Sequence, residues 1–376
     1  MSAHISIKPT RRSVLNSIFR ELSQIFIALW LMLILPQEIL ETWVVKQINK
    51  YYPMRYAKVL FYKSARSGLT SFFRTALSEN KEKVVLLPDY ICNVVYLAAE
   101  QAGARIIQYS TDELFCPNMT EIEELLKYSP VCVVLLASIF GAQNNRADLL
   151  QRVRAVSPDT LVVFDESQNF VTNSPVHLDN RTAVLISFNN KTVPGVMGGA
   201  LCLPPDSVIN PVIPAQTRFS IIIHELQIIG MIAKRVLRKL LQFAGLIRIK
   251  TNIYPEYEFS QAVIEPYNIE PGRISKISLI YAYLGLRRLN DIEAHRKNNS
   301  IQIRKFFNGS DKYSFLETEF ASIGPYMPVK IVNLEQFENI KLKGPYAIHK
   351  NKNVSLRPEV FSIINDSDVQ LKCYKI

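Results

Sequence analysis

The sequence predicts an α/β fold, in which a mostly parallel, doubly wound sheet is followed by a smaller C-terminal α+β domain. Between residues 60 and 205, short β-rich segments alternate with helical segments, and most of the β-rich segments are almost continuously apolar. Continuous apolar character is typical of strands buried on both faces, and alternation with helices favours parallel strands joined by crossovers. With 376 residues, 48% of them apolar, the chain is long enough for a large domain with a smaller companion.

The alternating region contains five predicted strands and four predicted helices. The strands are Val84–Leu87, Arg105–Tyr109, Val131–Ala137, Leu161–Phe164 and Ala183–Phe188. The helices between them are Ser67–Ser78, Cys92–Ala102, Thr120–Tyr128 and Arg146–Val156. Ligands of such sheets bind beyond the carboxyl ends of the strands, so the residues that follow each strand are the candidates for a site.

The C-terminal part has a different pattern. Residues 276–307 carry apolar side chains at helical spacing, and short alternating runs such as Val329–Val332 follow. This mixture predicts the small α+β domain, and the Pro-rich stretch 204–214 predicts the exit from the large domain.

Residues 25–35 are eleven consecutive apolar residues near the N-terminus. A helix that spans a bilayer needs about 20 residues, and extension back to Val14 would bring Arg20 and Glu21 into the hydrocarbon. No small-residue cleavage site precedes Pro36, as a signal peptide would require. Two interpretations remain open, a helix lying in a membrane surface and a helix packed on the protein body or at a dimer interface.

A second apolar segment, residues 219–250, is also basic. From Met231 onward it contains six Lys and Arg residues and no acidic residue. A basic amphipathic helix is typical of contact with an anionic membrane surface or a partner groove, and the alternative is an ordinary helix with a solvated basic face. The net charge of +11 is not accompanied by a nucleic-acid-binding motif, so we expect no nucleic-acid partner.

Cysteine and histidine usage argues against disulfide and metal chemistry. The five cysteines are widely spaced without a C-x-x-C pair, and the five histidines form no H-x-x-x-H pair. Cys132 lies in an apolar run, where burial in the core is expected. We therefore expect no metal site and a reducing, cytoplasmic compartment, with peripheral contact at the inner face of the membrane as an open alternative.

Polar residues follow the predicted strands. The sequence D-E-S-Q-N begins at Asp165, directly after one strand, and N-N-K ends at Lys191, shortly after the next. Upstream, Ser64–Gly68 opens a helix, whose free N–H groups and dipole favour a phosphate. A phosphate site with a strand-end acid and a strand-end lysine suggests a cofactor site, although a strand-end Asp is often a helix cap and a loop Lys is usually solvated.

At these residues the chain resembles the DegT/StrS-type sugar aminotransferases, which are fold-type I enzymes dependent on pyridoxal 5'-phosphate (PLP). The resemblance covers residues 55–205 well and residues 265–370 loosely. The matched pieces keep the family's order. They are the helix start at Ser64–Gly68, V-V-L-L-P-D-Y-I-C-N from Val84, the A-G-A-R turn, the I-F-G loop, D-E-S-Q, and S-F-N-N-K followed by G-G-A-L.

The resemblance implies a role for each matched residue. Lys191 looks like the lysine that forms the internal aldimine, and Asp165 looks like the carboxylate that keeps the pyridine nitrogen protonated. Gln168 stands where the family contacts the phenolic oxygen of the ring. The other matched positions contact the phosphate or the ring face, and they are Ser67, Gly68, Ser187 and Cys92.

Two positions depart from the family pattern. The family often has an aromatic residue that stacks on the ring where this chain has Cys92, so the stacking residue stays open. The family's Asn that reaches the phosphate of the neighbouring subunit has only a displaced counterpart, Asn268, although Arg273 and Ser275 align. The cross-subunit contact of the implied homodimer is therefore open.

The function implied by the resemblance is transfer of an amino group from an amino-acid donor, expected to be glutamate, to a keto-sugar, expected to be nucleotide-linked. The expected pathways are surface polysaccharide or secondary-metabolite biosynthesis. Two alternatives keep the fold. One is a membrane-associated PLP enzyme with a lipid-linked substrate, and the other is a catalytically inactive member that acts as an interaction protein.

The predicted organisation has four parts. They are an N-terminal apolar helical segment (1–50), a large PLP-binding domain (51–215), a basic amphipathic helical segment (216–255) and a small C-terminal domain (256–376).

Overall fold

The computed structural model describes residues 11–51, 58–78, 82–112, 115–139, 145–169, 179–189, 193, 195–244, 270–294, 297–298, 301, 313–315, 326–331 and 359–362. Its central sheet contains β1 (Lys58–Tyr62), β2 (Val84–Pro88), β3 (Arg105–Tyr109), β4 (Val131–Ala137), β5 (Leu161–Asp165), β6 (Thr182–Ser187) and β7 (Gly199–Leu203). The helices between these strands are α3 (Ala65–Leu77), α4 (Asn93–Gln101), α5 (Met119–Tyr128) and α6 (Arg146–Val156).

The seven strands lie in the order β1-β7-β6-β5-β4-β2-β3. All neighbouring pairs are parallel except the two that involve β7, which runs antiparallel to both β1 and β6. The mostly parallel sheet predicted from the sequence is confirmed, and the five predicted strands match β2 to β6 within one or two residues at each end. The strands β1 and β7 were not among those five.

Helices cover both faces of the sheet, as a doubly wound fold requires. Leu69 and Phe72 of α3 pack on one face with Val163 of β5, and α4 lies on the same side. On the other face, Val153 of α6 and Val184 of β6 belong to a second core cluster. The buried strands explain the continuous apolar runs in the sequence, because every residue of β2 and β6 is buried.

Four further helices pack beside the second face. They are α1 (Arg11–Ile34), α2 (Gln37–Tyr51), α7 (Arg218–Phe243) and α8 (Lys276–Arg287). The helix α2 packs on α8, and α1 packs on both α7 and α8. The apolar run 25–35 therefore belongs mainly to a helix that lies along the protein body on one side. Among the described residues, no helix is both long enough and apolar enough to span a bilayer.

Charged side chains fix the ends of these helices. The Lys276 Nζ atom donates to the carbonyl oxygens of Met32 and Leu35 at 3.3 and 2.9 Å, which satisfies the C-terminal end of α1. The Glu225 carboxylate of α7 accepts from the Lys276 backbone N–H at 2.5 Å, at the amino end of α8. These contacts bind α1 and α7 to α8 in addition to the apolar packing.

A second, smaller sheet lies in the C-terminal part of the chain. It contains β8 (Tyr313–Phe315), β9 (Tyr326–Ile331) and β10 (Glu359–Ser362), in the antiparallel order β10-β9-β8. The helix predicted over 276–307 begins as expected; α8 ends at Arg287, the backbone turns at Arg288, and residues 289–294 are helical again. Part of that predicted stretch lies outside the described residues. The domain boundaries themselves stay a prediction.

If α2 is an integral part of the core, shortening a buried side chain on it will destabilise the whole protein. Ile48 is 0% exposed, whereas Ile39 on the same helix is 41% exposed. We expect Ile48→Ala to lower the free energy of unfolding by about 2–5 kcal/mol, because it leaves a cavity. The matched change Ile39→Ala should stay within about 0.5 kcal/mol. Equal denaturation midpoints for the two variants would show instead that α2 is a dispensable appendage.

Candidate active site

The candidate site lies at the carboxyl edge of the parallel strands. Because β7 runs the opposite way, its first residue stands at this same edge. The strand register sets Asp165 of β5 opposite Leu185, Ser187 of β6 opposite Gly199, and Gly199 opposite Tyr62 of β1. Neighbouring strands are about 4.8 Å apart, so this register gathers the ends of four strands into a small area.

Asp165 and Ser187 also lie on the same face of the sheet. Side chains alternate along a strand, and Val163 and Leu185, two residues before each of them, both belong to the core that α3 and α4 cover. Asp165 and Ser187 are both buried. The sheet therefore presents a carboxylate and a hydroxyl beside the first turn of α3.

The Asp165 carboxylate is held by its own turn. Its Oδ1 atom accepts a hydrogen bond from the backbone N–H of Ser167 at 2.9 Å. Its backbone oxygen accepts from the N–H of Ser138 at 3.2 Å, which joins the ends of β5 and β4. A carboxylate fixed in this way is oriented before any ligand binds.

The first turn of α3 is closed by a pair of serines. The Ser64 side chain accepts from the Ser67 N–H at 3.1 Å, and the Ser67 hydroxyl accepts from the Ser64 N–H at 3.1 Å. The Ser67 hydroxyl also donates to the Ser64 carbonyl at 2.8 Å, and the Gly68 N–H donates to the same oxygen at 3.2 Å. Ser67 and Gly68 were predicted to bind the phosphate. In this structure the Ser67 hydroxyl and the backbone N–H groups of both residues already donate hydrogen bonds to Ser64 within the turn.

Close backbone contact brings β7 against this helix start. A Cβ atom on Gly199 would lie 2.5 Å from the Cα and N atoms of Ala65, a distance that side-chain carbon atoms do not tolerate. The preceding residue, Gly198, has φ +114° and forms a bridge with Ser64. Both positions therefore require glycine, and they fix α3 relative to β6 and β7.

The end of β6 turns back toward the same region. The Ser187 hydroxyl accepts from the Asn189 N–H at 3.4 Å, and the Phe188 N–H donates to the Gly198 carbonyl at 2.9 Å. Lys191 lies outside the described residues. It is two residues beyond Asn189 in the chain, so its role stays a prediction.

The remaining predicted site residues occupy two neighbouring loops. Gln168 is buried three residues after Asp165. Cys92 is half-buried at the N-cap position of α4 and makes no side-chain cap bond. Tyr90, two residues earlier, turns its ring onto Phe115 with 5.1 Å between ring centroids. Cys92 is thus more exposed than Tyr90, and its contact with the ring face stays a prediction.

Sequence reasoning missed a buried ion pair behind the site. Glu166 follows Asp165 but points to the opposite face, where its Oε1 atom lies 2.6 Å from the Nε atom of Arg146 in the first turn of α6. The Ser138 hydroxyl donates to the same oxygen at 3.3 Å. A basic residue in the first turn of a helix is unfavourable beside the positive end of the helix dipole. Arg146 at the start of α6 could therefore have indicated, from the sequence alone, that it has a specific acidic partner.

The pKa of Glu166 is raised to about 7, chiefly because burial disfavours its charged form, while Asp165 adds a smaller rise and Arg146 opposes it. Glu166 is 1% exposed and Arg146 is 4% exposed. The pair ties the loop after β5 to the start of α6 and thereby supports the backbone that carries Asp165.

Solved structures that resemble this chain identify its fold. No family model matches the sequence, and no curated protein matches it. Among solved structures, S. venezuelae DesV, determined in complex with a ketimine intermediate, aligns over 86% of this chain and 78% of its own length, with 12% identity and a TM-score of 0.57. Helicobacter pylori PseC, an aminotransferase involved in the biosynthesis of pseudoaminic acid, aligns over 88% and 84%, with 11% identity and a TM-score of 0.54.

A third structure, the sugar aminotransferase CalS13 from Micromonospora echinospora, aligns over 78% of this chain and 74% of its own length, with 15% identity and a TM-score of 0.50. The chain has the fold of the DegT/StrS-type sugar aminotransferases, fold type I of the PLP-dependent enzymes. The fold implied by the resemblance is thereby confirmed. The roles of single residues are not addressed by identities this low.

Because Gly199 touches the backbone of α3, the addition of one methyl group at this position should lower the stability of the protein. We expect Gly199→Ala to destabilise the protein by about 1–3 kcal/mol, because the new Cβ atom would overlap backbone atoms of Ala65 that cannot move independently. Gly230 in α7 is the control, since a Cβ atom there meets nothing within 4 Å. Gly230→Ala should stabilise by roughly 0.5–1 kcal/mol through helix propensity. Thermal unfolding of both variants measures the difference, and a neutral Gly199→Ala would refute the close approach.

The Glu166 carboxyl predicts a specific pH dependence of stability. Burial raises the folded-state pKa of Glu166 to about 7 from its ordinary value of 4.5, so between these pH values the folded state binds more protons than the unfolded state. The free energy of unfolding should then fall as the pH rises through this window, by roughly 3 kcal/mol in total. Glu166→Gln should abolish this fall, because its side chain does not titrate.

The control for that experiment is Glu123→Gln. Glu123 pairs with Arg152 near the surface, and this hydrogen bond lowers its pKa, so its titration lies below the window. Denaturant unfolding at several pH values between 5 and 8 gives the slopes. Wild type and Glu123→Gln should share one slope and Glu166→Gln should be flatter. Identical slopes for all three proteins would contradict a raised pKa at Glu166.

Proposed function

We propose that the protein is a PLP-dependent aminotransferase that acts on a keto-sugar. One observation carries the proposal. The strand register brings Asp165, Ser187 and the first turn of α3 together on one face and one edge of a fold-type I sheet. These three features are the ones that the resemblance assigns to the ring nitrogen and the phosphate of the cofactor.

The described residues fit the cofactor chemically. Asp165 is a buried carboxylate with a fixed orientation, suited to a protonated pyridine nitrogen. The 13-residue helix α3 directs its positive dipole end at the same edge, and the Ser187 hydroxyl adds a donor for the phosphate. A phosphate would compete with Ser64 for the hydroxyl of Ser67, so Ser67 would contribute by exchanging its cap bond for a bond to the phosphate.

Each residue then has a chemical task. Bound PLP supplies an electron sink for the amino-group transfer. Asp165 keeps the proton on the ring nitrogen, and Gln168 offers its amide to the phenolic oxygen. Lys191 would hold the cofactor through its amine and would move the proton at the substrate carbon. Cys92 would face the ring, as a smaller and softer side chain than an aromatic one.

The finer assignments belong to the same proposal. An amino acid, with glutamate as the expected one, donates the amino group, and the acceptor is a nucleotide-linked keto-sugar. The names of CalS13 and PseC as aminotransferases of sugar and pseudoaminic acid metabolism support the choice of acceptor class. A homodimer completes the site, as the family pattern implies, and surface polysaccharide or secondary-metabolite synthesis is the proposed setting.

A second candidate keeps this chemistry and changes the acceptor to a sugar carried on a membrane lipid. It is favoured by large apolar side chains that α1 and α7 expose on their outer sides, including Phe26 and Leu226. A protein held at a membrane through these helices would meet a lipid-linked sugar more often than a soluble one. Activity with a nucleotide-linked keto-sugar but not with a polyprenyl-linked one would exclude it.

Replacement of the proposed ring-nitrogen partner tests the proposal. Purified protein incubated with PLP should show the visible absorbance of a bound cofactor and should convert glutamate to its keto acid with a keto-sugar acceptor. Asp165→Asn should keep the absorbance but lower turnover on the order of 100-fold or more, because a neutral amide does not hold the ring proton. Asp206→Asn is the control, since Asp206 is exposed beyond the far end of β7. Equal turnover of both variants would reject the assigned role, and absence of PLP binding would favour a non-catalytic interaction protein.

A further inference from the structure

The outer side of α1 is apolar although it faces away from the protein. Its inner side is formed by Ile18 and Ala28, which are buried against the body. The outer side carries a row of exposed side chains at intervals of three and four residues, which we name the α1 stripe: Phe19, Leu22, Phe26, Trp30 and Leu33. Two of them are almost fully open, Phe26 at 73% and Leu33 at 79% exposure.

The neighbouring helix α7 repeats this arrangement. Ile228, Ile232 and Val236 form its buried side. A second exposed row, which we name the α7 stripe, follows the helical repeat on another side: Phe219, Ile222, Leu226, Leu237 and Leu240. Because α1 packs on α7, the two stripes belong to adjacent helices of one surface.

Such a surface is unusual for a protein in water. Single exposed apolar side chains are common, but extended apolar patches mark contact sites, and a helix that is apolar on nearly every side is normally buried. Here the stripes repeat along helices of 24 and 26 residues. Their length and the presence of Trp30 and two exposed Phe residues on α1 indicate that something apolar covers them.

Charge decides between the two candidate occupants, a lipid surface and a second copy of the chain. Lys234 and Arg238 are exposed, one helical turn apart. Arg238 follows Leu237 of the α7 stripe by one position and Lys234 lies one turn earlier, so this basic row lies about 100° around the helix from the α7 stripe. The acidic residue of α7, Glu225, turns inward and accepts from the amino end of α8.

A second copy docked on this surface would bring basic rows close to one another, which is repulsive. A bilayer with anionic headgroups offers apolar chains to the stripes and negative charge to the rows beside them. Lys and Arg side chains can extend from the edge of an embedded helix to the headgroups. Aromatic and Leu residues on one side with Lys and Arg on the next are typical of helices that lie in the membrane interface.

We propose that the α1 and α7 stripes form a docking surface for anionic phospholipid membranes, with both helices lying along the bilayer surface. α1 stays on the body in this arrangement, because Ile18 and Ala28 remain buried and the Lys276 ammonium holds its last carbonyl groups. The stripes enter the interface from outside, and the basic row remains at headgroup level.

The docking surface is connected to the candidate active site through the start of α7. Gln216, two residues before α7, accepts through Oε1 from the backbone N–H of Arg273 at 3.2 Å. Arg273 forms a β-bridge with Tyr62. The backbone N–H of Lys63 donates to the Gly272 carbonyl at 2.8 Å, and Lys63 immediately precedes the N-cap residue of α3. Hydrogen bonds thus join the start of α7 to the chain segment that leads into the first turn of α3. The docking proposal does not rest on the proposed function.

Vesicle binding of the full chain tests the proposal without reference to catalysis. The protein is sedimented with vesicles of phosphatidylcholine alone and with vesicles that also contain phosphatidylglycerol. We expect binding to the anionic vesicles that weakens as salt is added, and weaker binding to the neutral ones. Failure to bind anionic vesicles at low salt would overturn the proposal, whatever the enzymatic activity.

Paired substitutions locate the surface. Phe26→Glu and Leu226→Glu should each weaken binding to the anionic vesicles at least about tenfold. Lys234→Glu with Arg238→Glu should weaken it at least about fivefold and reduce its salt dependence. The controls are Tyr128→Glu and Lys127→Glu on α5, which replace an exposed aromatic and an exposed basic residue elsewhere.

All of these variants change exposed side chains, so their unfolding midpoints should match that of wild type. If Phe26→Glu or Leu226→Glu has a lower unfolding midpoint, Phe26→Ser or Leu226→Ser takes its place. Equal loss in the controls would overturn the assignment to α1 and α7. A homodimer that Phe26→Glu converts to monomers in sedimentation velocity, without any vesicle binding, would show that a second copy covers the stripes.

Discussion

The entry of β7 between β1 and β6 is the constraint on which the candidate site depends. It is the strand of the central sheet that runs against its neighbours, so its first residues meet the last residues of β1 and β6 at the carboxyl edge. Gly198 and Gly199 allow that meeting, because one has positive φ and the other touches the backbone of Ala65. With side chains at these positions, the first turn of α3 would be pushed away from β7 and from the end of β6.

The second support lies behind this edge. The Arg146–Glu166 pair occupies the opposite face from Asp165 and links the loop after β5 to the start of α6. Asp165 and Glu166 are consecutive, so their side chains point to opposite faces of the sheet and contact different partners. Asp165 lies on the face that α3 covers and accepts from its own turn, and Glu166 holds the loop to α6. A neutral pair or an apolar pair would fill the same space, but it would not respond to pH.

Much of the sheet could be predicted from the sequence because its strands are buried on both faces and therefore apolar throughout. The segments of β3 and β4 were predicted to the residue, and α6 was predicted with the same bounds. By contrast, β1 and β7 were not among the predicted strands, and β7 begins with Gly199 and Ala200, two residues that are depleted in strands. The apolar run 25–35 suggested a short helix, whereas α1 begins at Arg11. A helix that packs on the body with only one side can carry polar residues on its other sides, so it extends beyond the apolar run.

Site residues were accessible to sequence reasoning only where a motif carried them. Asp165, Gln168 and Ser187 lie at the predicted strand ends, but Glu166 was passed over because its partner, Arg146, is 20 positions away in the chain. The capping role of Ser67 was also missed, since a Ser at that position serves a cap and a phosphate equally well. At the N-terminal helices, Arg273 pairs with Glu41 at 3.1 Å and Gln37 donates to the Ile274 carbonyl at 3.1 Å. α2 is therefore joined to the stretch that leads into the site.

We propose that this edge of the sheet holds PLP through Lys191. The most direct measurement is borohydride reduction of the protein with added PLP, followed by peptide mass spectrometry. We expect a stable phosphopyridoxyl adduct on Lys191, loss of the visible absorbance on reduction, and no adduct at this position in Lys191→Ala. PLP-treated wild-type protein with an unmodified Lys191, or with the adduct spread over surface lysines alone, would contradict it.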